Sequence, residues 1–377
     1  MKPLLDLIKC GQSYWLDNLT RAMLHNGALK QRVETQGLRG VTSNPAIFNK
    51  AILGSTDYDA QLAQLTRAGQ SIQDIYEALV VTDVQQACDV LRPVHDASDG
   101  VDGYVSLEVS PYLANDTAGT IQEARHLFHA VDRPNVMIKI PGTPAGLPAI
   151  EAMLYEGINI NITLLFAIQN YEAVAQAYVQ ALERRVAEGK PVHTIASVAS
   201  FFISRIDVLI DQLLSQRSQA GGGQSAGPQP DSLMGKVAVA NAKLAYQSFK
   251  RLFSGPRWQA LEAKGARVQR PLWASTSTKN PQYSDVSYVE PLIGAHTVNT
   301  MPDETIEAFA DHGVVAENSV EAKLDEARQI LRDLAAVGVD LEAATNQLQE
   351  EGVQKFVDPF AALIQALSAK QQAILAG

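Results

Sequence analysis

Eight short segments with the character of buried strands alternate with helical segments along this chain, and this alternation limits the possible folds more than any other feature. The clearest segment is Ile158–Thr163, in which every isoleucine lies on one side and every polar residue on the other. A half-exposed strand would show the same pattern. In an all-parallel barrel, however, the isoleucines would face the helices and the polar row would face the centre. The predicted strands are Ser13–Asp17, Gly40–Ser43, Tyr104–Val109, Asn135–Thr143, Ile158–Thr163, Thr194–Ala199, Pro271–Ser275 and His296–Asn299.

The number and order of these segments predict an α/β fold, a (β/α)8 TIM barrel rather than two small domains. The chain has 377 residues, more than the roughly 250 of a typical barrel. We therefore predict a single domain over residues 1–377, with a helical and linker insertion at about 210–265 and a C-terminal helical extension at about 318–377. Within the insertion, Ser218–Pro230 is rich in Gly, Ser, Gln and Pro, which predicts a flexible surface segment. A final helix is predicted over about Val353–Leu375.

Composition and charge exclude several classes of protein. Hydrophobic residues make up 46% of the chain and charged residues 19%, as in a globular protein with a packed core. The net charge of -10 disfavours a general nucleic-acid binder, although local arginines and lysines could still receive a small anionic substrate. The two cysteines suit a reducing compartment, and no run approaches the roughly 18 apolar residues of a membrane span. We therefore expect a cytoplasmic protein. We also expect no metal site, because His126 and His129 fit the exposed face of a helix.

Lys139 occupies a strand position where an apolar side chain is expected. Within Asn135–Thr143, it shares one side of the strand with Met137, and three β-branched residues share the other side. Burial disfavours the charged form of an ammonium group, and a neutral amine is a nucleophile toward carbonyl carbons. The alternative is a lysine whose stem is buried while its head reaches water.

Polar residues at the ends of other predicted strands favour the first interpretation. A (β/α)8 barrel carries its active site at the C-terminal ends of its strands. The polar or charged residues at or just past these ends are Asp17, Asn44, Glu108, Lys139, Thr163, Ser200 and Ser277. After the sixth strand, Ser200–Arg205 is predicted to open a helix whose free N–H groups would suit a phosphate. An N-cap serine followed by a surface arginine is the alternative there.

Five stretches resemble the transaldolase family in its longer bacterial form, within the class I Schiff-base aldolase superfamily. They are Gly40–Phe48, Val105–Pro111, Met137–Thr143, Gly157–Phe166 and Thr297–Pro302, and the similarity runs from about Tyr14 to Gly313. The resemblance implies a transferase of the non-oxidative pentose phosphate pathway that needs no cofactor. Such an enzyme moves a dihydroxyacetone unit from sedoheptulose 7-phosphate or fructose 6-phosphate to glyceraldehyde 3-phosphate or erythrose 4-phosphate.

The resemblance also implies a role for each matched residue. Lys139 would form the Schiff base, and Asp17 would take the proton of the C4 hydroxyl and return it. Glu108 and Thr163 would position a water that transfers protons. Imine formation and C–C cleavage each require an acid or a base, independently of any resemblance. The residues implied in substrate binding are Asn44, Asn161, Ser200, Phe202, Arg205, Ser277 and Lys279.

The phosphate site departs from the family pattern in one respect. Lys279 stands where many relatives have arginine, so an ammonium group, a point charge, replaces a guanidinium group that can donate two parallel hydrogen bonds. The alignment there leaves two registers open, with either Ser275 or Ser277 at the phosphate.

Two other functions are compatible with this fold. An aldolase of the same fold would release free dihydroxyacetone. The resemblance implies that this branch has glutamine where this chain has Glu108, and tyrosine where this chain has Phe202. A catalytically silent scaffold barrel would have no reason to keep Asp17, Glu108 and Lys139 together. The sequence leaves open whether the protein is a monomer or a homodimer.

Overall fold

A closed barrel of eight parallel strands forms the centre of the protein. The computed structural model describes residues 2–219 and 227–376, and within them the strands follow one another around the barrel in chain order. The barrel closes where the first strand pairs in parallel with the eighth, from Gln12 opposite Thr297 to Leu16 opposite Met301. This confirms the predicted (β/α)8 barrel. The strands are β1 (Gln12–Leu16), β2 (Gly40–Val41), β3 (Tyr104–Glu108), β4 (Val136–Pro141), β5 (Ile160–Leu165), β6 (Ser197–Phe202), β7 (Arg270–Ala274) and β8 (Thr297–Met301).

Helices surround the barrel and cover its C-terminal end. In the described part of the chain, the α-helices are α1 (Lys2–Lys9), α2 (Arg21–His25), α3 (Ala28–Gln31), α4 (Pro45–Leu53), α5 (Asp59–Arg67), α6 (Ile72–Ala97), α7 (Thr117–Val131), α8 (Gly146–Glu156), α9 (Ile168–Ala187), α10 (Ser204–Gln219), α11 (Val237–Leu252), α12 (Pro256–Glu262), α13 (Asp303–His312), α14 (Leu324–Ala336) and α15 (Leu341–Ala376). No helix among these combines the length and the apolar character that a bilayer crossing requires.

The alternation in β5 shows how the sequence directs side chains to the two sides of the barrel wall. Ile160 and Ile162 belong to the apolar core between strands and helices. Asn161 and Thr163, on the opposite side, are also buried. The parallel register places Lys139 opposite both Glu108 of β3 and Asn161 of β5. Side chains that chemistry could use are therefore brought into one layer by strand pairing alone.

The sixth strand and the helix after it lie further along the chain than the sequence predicts. The predicted strand Thr194–Ala199 is wrong, because β6 runs from Ser197 to Phe202 and the helix begins at Ser204. Pairing with β7 extends the strand, since its ladder reaches from Val198 to Phe202. Ser200 and Phe202 are therefore strand residues, and the prediction that Ser200 opens a helix is also wrong.

The last helix is longer than predicted and crosses the barrel mouth. The sequence predicts Val353–Leu375, whereas α15 covers Leu341–Ala376. Gly352 disfavours helix and directly precedes the predicted start, which explains why that start was late. Gly352 is needed for packing, because a Cβ there would lie 2.9 Å from Leu164 Cδ2. Gln349 Nε2 also donates to the carbonyl oxygens of Gly142, just after β4, and Leu164, near the end of β5, at 3.1 Å each, which holds the helix over the strand ends.

Between β6 and β7, the described residues include α10, α11 and α12. Two hydrogen bonds hold α11 in place: Asn241 Nδ2 donates to Phe166 O, directly after β5, at 2.9 Å, and Ala238 N donates to Asp207 Oδ1 of α10 at 2.8 Å. Residues 220–226 of the predicted linker Ser218–Pro230 lie outside the described residues. The assignment of 1–377 to a single domain remains a prediction.

Candidate active site

Lys139 lies on β4 with its amine inside the barrel, near the C-terminal ends of the strands. The side chain is 6% exposed, and Nζ lies 3.2 Å from Glu108 Oε2. The amine also donates to the main-chain oxygen of Ser43 at 3.3 Å. The ring of Phe356, from α15, has its centre 5.4 Å from Nζ. The amine is therefore paired with one carboxylate and covered by an aromatic ring.

A cavity of 230 Å³ opens above this amine. Nine of the predicted site residues line it: Asp17, Asn44, Lys139, Thr163, Ser200, Phe202, Arg205, Ser277 and Lys279. The two remaining predicted residues contact members of this group. Glu108 pairs with Lys139, and Asn161 Oδ1 accepts a hydrogen bond from Ser200 Oγ at 2.7 Å. All eleven predicted residues thus belong to one connected site.

Asp17 follows β1 directly and is held by a chain of hydroxyl groups. Thr42 Oγ1 donates to Asp17 Oδ1 at 2.8 Å and lies 2.7 Å from Thr300 Oγ1. The hydroxyl of Thr42 has one proton, and the carboxylate receives it, so Thr300 is the donor in the second contact. Burial raises the pKa of Asp17, while the charge of Lys139 and the Thr42 hydrogen bond oppose that shift. The two threonines stabilise the charged form and orient it.

Replacing Thr42 with valine is expected to move the acid limb of the pH–kcat profile to higher pH. A general base works as a carboxylate, so activity is lost as the pH falls through the pKa of Asp17. The hydrogen bond from Thr42 lowers that pKa, and its removal raises it further. Steady-state kinetics across pH would measure the shift, with Thr42→Ser as the control that keeps the hydroxyl. An unchanged acid limb in Thr42→Val would show that the contact does not tune Asp17.

Glu108 ends β3 and has one paired and one unpaired carboxylate oxygen. Burial raises the pKa of Glu108, and the charge and hydrogen bond of Lys139 oppose this rise. Oε2 faces the amine, whereas Oε1 is buried without a hydrogen-bond partner among the described residues. A buried carboxylate within hydrogen-bond reach of an amine is placed to exchange protons with groups that react there.

A hydrogen-bonded row connects three strands below the amine. Asn161 Nδ2 donates to Ser106 Oγ at 2.9 Å, while its oxygen accepts from Ser200. These contacts fix the amide orientation. Beside them, Thr163 Oγ1 is buried and has no partner among the described residues. Buried polar atoms are normally satisfied by protein, water or ligand, so this hydroxyl is available to the site.

Two further cationic side chains, Arg205 and Lys279, line the same cavity. Arg205, in the first turn of α10, has its guanidinium carbon 5.1 Å from the centre of the Phe202 ring. Its Nη1 atom is buried without a hydrogen-bond partner within the described ranges. Lys279 Nζ donates to Ser277 Oγ at 2.6 Å. Ser275 also lines the cavity, so neither of the two registers is excluded. Two cations and neighbouring hydroxyls suit an anionic group such as a phosphate.

Four residues of the site were missed from the sequence. Thr42 and Thr300 support Asp17, Phe356 covers the amine, and Glu304 of α13 lines the cavity. Thr42 stands inside the matched stretch Gly40–Phe48, which could have singled it out. Phe356 has no such signal, because only helix packing brings it to Lys139. Among the described residues, no cluster of three or more His, Cys, Asp or Glu could hold a metal ion.

The fold and the site define a class: a (β/α)8 barrel with a buried lysine amine and acidic partners at the C-terminal ends of its strands. Comparison with known proteins narrows this class, because the model of the family described as transaldolase/fructose-6-phosphate aldolase matches residues 14–367. The chain belongs to this family, which confirms the resemblance seen in the sequence.

Curated relatives match over nearly the whole chain. A protein named transaldolase 2 from Nostoc sp. is 51% identical over 370 residues, 97% of each chain. A transaldolase from Trichodesmium erythraeum is 47% identical over 369 residues, again 97% of each chain. One from Thiobacillus denitrificans is 48% identical over 359 residues, which is 95% of this chain and 98% of the relative.

Proposed function

We propose that the protein is a transaldolase, which moves a dihydroxyacetone unit from a ketose phosphate to an aldose phosphate through a Schiff base on Lys139. One observation carries the proposal: the Lys139 amine lies 3.2 Å from Glu108 and lines the same cavity as Asp17 and Arg205. Relatives named transaldolase at 47–51% identity support it. Sedoheptulose 7-phosphate or fructose 6-phosphate would be donors, and glyceraldehyde 3-phosphate or erythrose 4-phosphate acceptors, in the non-oxidative pentose phosphate pathway.

The first step is attack of the neutral Lys139 amine on the C2 carbonyl of the donor, which gives a carbinolamine. Loss of water then forms the imine, and a proton must reach the departing hydroxyl. Glu108, whose pKa burial raises, supplies this proton through a water held with Thr163. The unpaired Glu108 Oε1 and Thr163 Oγ1 support this arrangement, because buried polar atoms normally bind water or ligand.

Cleavage of the C3–C4 bond follows. Asp17 takes the proton of the C4 hydroxyl, the aldose leaves with a new carbonyl group, and the bonding electrons move into the protonated imine to give a neutral enamine. In the second half of the transfer, the enamine carbon attacks the acceptor aldehyde and Asp17 returns the proton. Hydrolysis of the new imine releases the product ketose and the free amine. No electrons are gained or lost overall.

Asn44 and Asn161 would hold the hydroxyls of the three-carbon unit. Both lie close to the lysine layer: Asn161 is opposite Lys139 in the sheet, and Asn44 lines the cavity at the start of α4. The phosphate would bind at Arg205 and Lys279, with Phe202 stacked against Arg205. The cavity then orients a ketose phosphate along its length, with the carbonyl at Lys139.

Arg205→Ala is expected to raise the Michaelis constant for phosphorylated sugars by about 10- to 100-fold, because a charge-assisted contact is lost. The turnover number should change much less. Unphosphorylated fructose is the matched control substrate, since its Michaelis constant should not respond. Equal Michaelis constants for phosphorylated donors in the wild type and the variant would remove Arg205 from the phosphate site.

Borohydride trapping tests the proposal directly. Reduction in the presence of fructose 6-phosphate should leave a three-carbon adduct on the peptide that contains Lys139, measured by mass spectrometry. An unmodified peptide would support the silent-scaffold alternative. The protein incubated with borohydride alone is the control.

An aldolase activity is the second candidate, since the family description includes it. Glu108 and Phe202 favour the transferase, because the resemblance implies glutamine and tyrosine at these two positions in the aldolase branch. A coupled assay with fructose 6-phosphate decides between them. Turnover should depend on erythrose 4-phosphate, and equal turnover without the acceptor would favour the aldolase. Cytoplasmic location and a monomeric or homodimeric state remain predictions, as does the lack of nucleic-acid, membrane and cofactor binding.

A further inference from the structure

A second, larger cavity of 750 Å³ lies beside the proposed active site, between α6, α7 and α15. The charged residues in its lining are Glu77, Glu108 and Glu123, and none of the described lining residues is lysine, arginine or histidine. The proposed substrates are phosphate esters, which these carboxylates would repel. The cavity is therefore suited to a ligand of opposite charge.

The other walls of this cavity are apolar and aromatic. Val80, Leu107 and Leu127 form part of its lining. The Phe360 ring stands edge to face with two tyrosines, with ring centres 5.2 Å apart for Tyr76 and 5.5 Å apart for Tyr112. Tyr112 is 59% exposed, so this aromatic cluster reaches the surface. Aromatic faces near carboxylates bind organic cations, especially quaternary ammonium groups.

Glu108 connects the two cavities. Its side chain is 3% exposed, Oε2 is 3.2 Å from the Lys139 amine, and the residue also forms part of the wall of the larger cavity. Its second oxygen has no partner among the described residues. The water of the proposed imine chemistry would bind this oxygen without removing its negative charge, so a cation in the larger cavity gains from the field of the Glu108 carboxylate.

Glu123 adds a half-buried acid to the same cavity. Glu123 Oε1 accepts a hydrogen bond from Ser110 N at 3.1 Å, which fixes its position. Burial raises the pKa of this carboxyl, and the nearby Glu77 contributes in the same direction. Ionisation of Glu123 is therefore unfavourable alone and is favoured by a bound cation.

We propose that this cavity binds an amphiphilic cation, with an apolar body against Val80, Leu107 and Leu127 and a quaternary ammonium head among the Tyr76, Tyr112 and Phe360 rings. Gln73 and Gln372, both exposed, lie at its lining, so the ligand enters from solvent without crossing the barrel mouth. The bound cation stabilises the ionised form of Glu108. Because the proposed imine chemistry needs Glu108 to give up and regain a proton, occupation lowers kcat and leaves the Michaelis constant unchanged. This kinetic effect rests on the proposed function, whereas binding does not.

Isothermal titration calorimetry of the full chain with 3-phenylpropyltrimethylammonium tests binding without any substrate. The expected result is saturable binding, weakened at least about 5-fold in Tyr76→Leu and in Glu123→Gln, because each removes part of the cation site. In Glu123→Gln, the side-chain amide oxygen can still accept the hydrogen bond from Ser110 N, so this variant tests the proposal even if Tyr76→Leu does not fold. Tyr155→Leu, which lies outside the cavity, is the matched control and should bind as the wild type does.

The matched anion 3-phenylpropane-1-sulfonate should not bind. The proposal is overturned if the sulfonate binds as tightly as the ammonium ion, if the ammonium ion does not bind, or if both cavity variants bind it as the wild type does. In transfer assays, the ammonium ion should lower kcat in the wild type and not in Tyr76→Leu. Binding without transfer activity would count against the proposed function alone, because calorimetry reads the site independently.

Discussion

Lys139→Met is expected to lower sugar-phosphate transfer by on the order of 10⁴-fold or more while the barrel stays folded. Methionine has a similar length and no amine, so no Schiff base can form. Removing one member of a buried ion pair usually costs about 3–5 kcal/mol. Here the cost should be smaller, because the raised pKa of Glu108 lets it become neutral when its partner is lost.

Steady-state kinetics, thermal unfolding and borohydride trapping together measure this outcome. Lys279→Met is the matched control, because it removes a second lysine from the same cavity. That variant should keep the three-carbon adduct and lose affinity for phosphate esters. Substantial transfer by Lys139→Met, or an adduct on another lysine, would refute the assignment of the nucleophile.

Asp17→Asn is expected to lower kcat by about 10²- to 10⁴-fold, the usual contribution of a general base. The amide keeps the shape of the carboxylate and can still accept from Thr42, so the local structure should remain. In the proposed mechanism, imine formation at Lys139 does not require Asp17, whereas cleavage of the C3–C4 bond does. The variant should therefore accumulate the imine of the intact donor.

Mass spectrometry distinguishes these two states. Borohydride should trap a six-carbon adduct from fructose 6-phosphate in Asp17→Asn, in place of the three-carbon adduct of the wild type. Thr42→Val is the control that disturbs Asp17 without removing its carboxylate, and it should still give the three-carbon adduct. A three-carbon adduct formed at the normal rate in Asp17→Asn would assign C–C cleavage to another residue.

In the proposed chemistry, the C-terminal helix α15 would exclude water from the amine. Phe356 is 4% exposed and lies against the Lys139 amine. A site shielded from water strengthens the interaction between the amine and Glu108, and it protects an enamine from premature protonation. The C-terminal helix thus places Phe356 beside the amine, a contact that no local pattern in the sequence predicts.

Much of the fold could be predicted because strand signals are local. The alternation in Ile158–Thr163 depends on residues that are neighbours in the chain, and so does the placement of Lys139 beside Met137. The boundaries were least secure where pairing with another strand decides them. Phe202 became a strand residue through its ladder with β7, a contact that no local pattern contains.

The sequence by itself determined the order of strands and helices, and with it which polar side chains lie at the C-terminal face of the barrel. Strand periodicity and the parallel topology are enough for this, because strand ends converge in a closed barrel. Tertiary structure alone decided which groups touch. Thr42 and Thr300 are 258 residues apart in the chain yet share a hydrogen bond, and Phe356 reaches Lys139 only because α15 crosses the mouth. Such contacts depend on barrel closure and helix packing, so the protonation behaviour of Asp17 and Glu108 follows from burial that the linear sequence does not contain.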